Sequence, residues 1–143
     1  MLRRTAIVLC LILAAANAAA ASFVVNPIRV NLTPEQRVVA LSVTNNGKQP
    51  VRVQAQPMAW RVEDNEDAYV ASTELLVNPP LFTLDAGATQ VLRLGLRNAR
   101  ATDREATYRL FLTEVPGPVG PDFNGLSMAL RLGVPIFVQP LQA

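Results

Sequence analysis

Seven consecutive even-numbered positions near the end of the chain are apolar: Leu126, Met128, Leu130, Leu132, Val134, Ile136 and Val138, all within GLSMALRLGVPIFVQP. The odd positions between them hold Ser127, Ala129, Arg131, Gly133, Pro135 and Phe137. Side chains alternate across a strand but return every 3.6 residues around a helix. The run therefore fits a strand with one buried face and excludes an amphipathic helix.

The same period recurs along the chain. FVVNPIRVNL puts Ile28, Val30 and Leu32 on one side and Arg29 and Asn31 on the other. Val39, Leu41 and Val43 share a face before the turn NNGKQP, and Val51, Val53 and Ala55 alternate with Arg52, Gln54 and Gln56. Further on, Leu92, Leu94 and Leu96 oppose Val91 and Arg93, and Tyr108, Leu110 and Leu112 share a face. Pro57 cannot donate to a ladder, which predicts an edge or a bulge there. A bulge would turn Trp60 from the polar parity toward the core. VEDNEDAY reads as a polar hairpin tip, LDAGA as a turn and PGPVGPDFNG as a connection. Seven to eight short strands separated by regular turn signals predict an all-β antiparallel sandwich.

The first residues stand apart. MLRR, TAIVLCLILAAA and ANAAAAS form the basic, apolar and small-residue segments of a secretory signal peptide, predicted to span residues 1–21 and too short to cross a membrane. Without Arg3 and Arg4, the 13 basic residues become eleven against 11 acidic ones, so the rest is neutral. A basic tract for nucleic acid or anionic lipid is absent from that balance, and no stable membrane insertion is expected once the leader is removed. The one cysteine, Cys10, lies in the leader, so no disulfide is expected in an oxidising compartment. What remains is one domain of roughly 120 residues, residues 22–140 with the start of a linker at 141–143.

The chain contains no histidine, which removes Ser-His and Cys-His catalysis and the ordinary zinc sites together. Glu63, Asp64, Glu66 and Asp67 lack the spacing of a calcium loop and read as a solvated tip. The sole lysine, Lys48, lies in an Asn-Gly turn, and no carboxylate pair stands out. No catalytic residue, metal site, cofactor or small-molecule substrate is assigned, and the chain does not read as an enzyme. Spacing does not choose between cis and trans bonds at Asn78-Pro79-Pro80. Arg29, Arg93 and Arg131 each sit among apolar alternants; they read either as solubilising strand arginines or as guanidinium forks for a carboxylate.

Taken in order, NPIRVNL, LSVTNNGKQPVRVQ, LLVNPPLFTLDAGATQVLRL, DREATYRLFLTEVP and LSMALRLGVPIFVQP resemble the periplasmic pilus chaperones, the PapD-like family of the chaperone–usher pathway. PVRVQAQPMAW and VPIFVQP look most like its archaic branch. The resemblance covers residues 26–140. It implies an immunoglobulin-like sandwich, the amino-terminal domain of a chaperone whose usual second domain would follow. It also implies a periplasmic location, an outer-membrane usher and pilin subunits as partners, and donor-strand complementation, in which the chaperone's G strand fills the gap in an incomplete subunit. The donor side chains implied are Leu126, Met128, Leu130 and Leu132. In the classical members the subunit's terminal carboxylate is anchored on an arginine, which maps onto Arg29, and a lysine, which maps onto Pro135. Proline cannot serve there, so Arg93 or Arg131 is expected to supply the second charge. The competing readings are a self-contained structural or adhesive domain that keeps its last strand for itself, and a non-functional fragment of a two-domain chaperone.

Overall fold

The structure is a computed structural model describing residues 23–97, 104–118, 120–126 and 128–140. The segment read as a leader, with Cys10, and Ser127 and residues 141–143 lie outside the described residues. Among the described residues ten strands form two sheets. β1 (Phe23–Asn26), β3 (Val38–Asn45), β8 (Thr89–Leu96) and β6 (Leu75–Asn78) make one, in the order β1-β3-β8-β6. The other runs β2 (Val30–Leu32), β10 (Arg131–Val138), β9 (Ala106–Glu114), β4 (Val51–Glu63) and β5 (Glu66–Ala71), with β7 (Leu81–Leu84) also on β4. This is the immunoglobulin-like sandwich expected. The strand count exceeds seven to eight because two runs divide: the chain crosses between sheets after β1 and again after β6. Both crossings lie at Asn-Pro, and the Asn26-Pro27 and Asn78-Pro79 bonds are cis.

The alternating residues meet between the sheets. Leu41, Val43, Leu92 and Leu94 from one sheet pack with Val53, Leu110, Leu112 and Ile136 from the other. Every adjacent pair is antiparallel except β2–β10, where Val30–Leu32 run parallel to Ile136–Val138. Ile28 departs from the expectation that it joins Val30 and Leu32, being 78% exposed. It lies in the crossing between β1 and β2, outside either ladder.

Turn chemistry fits the connections. Asp64 and Asn65 join β4 to β5 with φ of 52° and 65°, and Glu63 pairs Glu66, the signature of a two-residue type I′ hairpin. The buried Asn45 organises the turn after β3. Its Nδ2 donates to the carbonyls of Gln49 (2.7 Å) and Leu84 (3.1 Å), and its Oδ1 accepts from Gly47 N (2.9 Å).

Pro57 sits neither on an edge strand nor at a bulge. Register along β4–β9 is unbroken from Val53↔Glu114 to Ala59↔Tyr108. On its other side β4 pairs β7 as far as Gln54 and β5 from Met58. Ala55 N donates to Pro80 O at 2.8 Å on that side, so odd positions face it. Pro57 therefore occupies the position whose N–H would point into the interval between two partners, and proline leaves none to satisfy. With no bulge, Trp60 keeps its outward parity.

Candidate functional site

The row of seven even positions divides in two. From Arg131 onward the residues form β10, with Val134 4% and Ile136 0% exposed. Upstream, from residue 120 on, the described residues are outside any strand, with Leu126 82% and Met128 79% exposed. Leu130 and Leu132 lie between these extremes, half-buried against the rim of the core. Four apolar side chains of one parity thus pass from solvent to core along one segment.

β10 is also only half covered. β9 pairs it over its full length, from Arg131↔Thr113 to Val138↔Ala106. On the other side β2 pairs only Ile136, Phe137 and Val138. Among the described residues no strand pairs that side of residues 131–135. An open strand edge continued by exposed apolar side chains is a template for another strand.

Odd positions of β9 and β10 and even positions of β4 project from the outer face of this sheet, where cations and rings alternate. The Arg29 guanidinium lies 4.4 Å from the centre of the Phe137 ring, and Phe137 meets Trp60 edge-on at 6.3 Å. Arg109 stacks over Trp60 at 4.3 Å, and its Nη1 donates to the Tyr69 hydroxyl at 2.7 Å. Tyr69 packs edge-on against Phe111 at 4.9 Å, and Arg131 covers Phe111 at 3.9 Å. Trp60 Nε1 donates to Asp67 Oδ1 at 2.9 Å. Stacking occupies the face of a guanidinium and leaves its in-plane N–H groups available for an oxyanion.

The sequence-predicted arginines separate on this map. Arg29 lies on this outer face beside Phe137, two residues along the strand from Pro135. Arg131 shares the face but starts β10, four residues and roughly 13 Å from Pro135. Arg93 does not belong here: it lies on β8, opposite Ala40 and Asn78 in the other sheet, and is exposed on that sheet's outer side. Its strand, β8, is no neighbour of β10, so Arg93 stands apart from the second charge expected beside Pro135.

Sequence reasoning missed Arg109. It pairs directly with Pro135 across β9–β10, on the outer face. Its Nε is buried and has no hydrogen-bond partner among the described residues. Gly133 makes room for it: a Cβ at that glycine would lie 2.7 Å from Arg109 Cδ. The signals were Trp60 and Tyr69, aromatics on outward parities, and a glycine inside an otherwise regular strand. None marks an arginine 24 residues away until the strands are registered.

A family model described as "Pili and flagellar-assembly chaperone, PapD N-terminal domain" matches residues 22–143. The chain is 29% identical over 137 residues to the chaperone protein MrkB of Klebsiella pneumoniae, covering 93% of this chain and 57% of that protein. The CsuC–CsuE chaperone–tip adhesion subunit complex of archaic Csu pili from Acinetobacter baumannii contains a chain similar in fold. Its TM-score is 0.71 at 23% identity, over 83% of this chain and 57% of that one. The Salmonella enterica SafA pilin–SafB chaperone complex contains a match with TM-score 0.65 and 26% identity, over 83% and 54%. The chain spans a little over half the length of these relatives.

Proposed function

The chain belongs to the family of pili and flagellar-assembly chaperones, matching its PapD N-terminal domain, and we propose that it binds fimbrial subunits by lending them the upstream half of its last strand. The family is one of assembly chaperones and not of enzymes. The observation that carries the proposal is the open edge of residues 131–135, continued by the exposed Leu126 and Met128. A subunit lacking one strand pairs with that edge through its main chain, while Leu126, Met128, Leu130 and Leu132 fill its groove. Val134 and Ile136 stay in this chain's own core. The similar CsuC–CsuE and SafB–SafA complexes hold a chaperone with a tip subunit or a pilin, and a partner of that class is assigned here, followed by transfer to an outer-membrane usher. The signal peptide read at residues 1–21 would deliver the domain of residues 22–140 to the periplasm.

The subunit's terminal carboxylate is assigned to Arg29 and Arg109, which flank Pro135 on the outer face. Arg109 supplies beside Pro135 the charge that the resemblance to classical members expects there from a lysine. Arg131, at the far end of β10, is assigned to the middle of the guest strand, and Arg93 is given no part.

Co-expression with a fimbrial subunit from the same organism tests this. The expected result is a stable one-to-one complex that Leu126→Asp/Met128→Asp abolishes without moving the melting temperature. Native chain that captures no such subunit would favour a self-contained domain.

A further inference from the structure

How far along β10 a guest strand pairs follows from backbone parity. Glu114 N donates to Leu130 O at 2.8 Å, which turns the peptide groups of even positions toward β9. Odd positions face the other way, as the 2.9 Å bond from Gln139 N to Leu32 O on β2 shows. Upstream of the first β2 pairing at Ile136, the open side therefore offers the N–H and C=O of Arg131 and of Gly133. At Pro135 it offers neither group: proline has no N–H, and the parallel pairing Ile136↔Val30 turns its C=O onto Val30 of β2. The β9 ladder loses nothing by this, since position 135 would donate away from it.

We propose that Pro135 is a register stop: it ends the guest strand's ladder at Gly133 and keeps the guest off the part of the edge that β2 occupies. The inference rests on reading β10 as the donor strand. A guest shifted by one two-residue step toward β2 would set a carbonyl against the pyrrolidine ring and lose a hydrogen bond. An ordinary hydrogen bond of that kind favours the unshifted register by about fivefold. The stop falls where the burial of the even side chains changes hands. The even side chains from Leu126 to Leu132 precede the ladder's end at Gly133, exposed or half-buried, and Val134 and Ile136 follow it in this chain's core.

The test uses the complex with a fimbrial subunit from the same organism. Ala129→Cys is introduced in this chain, and cysteines are placed one at a time along the guest strand. With Pro135 one guest position should dominate disulfide formation. With Pro135→Ala a second position two residues away should rise from about a fifth of the yield to near parity, and the amide gained by the substitution should become protected from hydrogen exchange. A single dominant position in both, with that new amide exchanging as fast as in the free chain, would overturn the proposal. If the Arg131 and Gly133 amides gain no protection in the native complex, the donor-strand reading fails instead.

Discussion

At the scale of single residues, the outer face of the six-stranded sheet is set by what is missing as much as by what is present. Gly133 lacks the Cβ that would collide with Arg109, and Pro135 lacks the N–H that a guest strand would use. Gly133→Ala should push Arg109 off Trp60 and cost about 1 kcal/mol, the low end for overpacking against a flexible side chain. The melting temperature would fall by roughly 3 °C, and emission from Trp60, the only tryptophan, would shift. Combined with Arg109→Ala, the glycine substitution should cost clearly less, because the Arg109 atoms are gone and only the 3.2 Å approach to Phe111 Cε1 remains. Additive losses would mean that the two positions do not meet. Trp60 also shows where sequence reasoning went astray. Pro57 suggested a bulge that would turn this aromatic from the polar parity to the core. Its apolar surface is covered instead by Arg109 and the edge of Phe137, and no run of neighbouring residues announces an arginine arriving from another strand.

At the scale of the element, residues 126–138 behave as two strands written with one pattern. Alternation made the whole row legible as one buried face, but alternation cannot say in whose core a face is buried. Stability should separate the halves. Leu126→Ala and Met128→Ala should stay within about 0.5 kcal/mol of the native chain, as exposed substitutions do. Ile136→Ala should cost roughly 2–5 kcal/mol, and Leu132→Ala should fall between. Urea titration of the four variants would measure this gradient. Equal costs at Leu126 and Ile136 would mean that the chain already buries the upstream half in solution. Pro57 carries a similar lesson for β4. From sequence a proline in a strand signals an edge or a bulge. Here it marks the handover from β7 to β5 along one regular strand, a feature that exists only once three strands are registered.

At the scale of the whole molecule, the two-sheet sandwich was legible from period-two runs, turn residues and the absence of helical windows. The crossings between sheets were not, because a crossing leaves the alternation intact on both sides and reveals itself only as an outlier such as Ile28. Nor was the parallel pairing of β2 with β10, which joins segments more than a hundred residues apart. That pairing has a mechanical consequence. Tension applied through residues 23 and 140 drags β2 and β10 in opposite directions along their length. Their cross-strand bonds are then loaded together in shear instead of being peeled one after another. Single-molecule stretching should give one abrupt rupture, and its force should drop with Phe137→Pro, which removes a donor facing β2. A force that ignored the substitution would assign the resistance elsewhere. The domain would thus hold firmest along the line on which its own two ends are drawn apart.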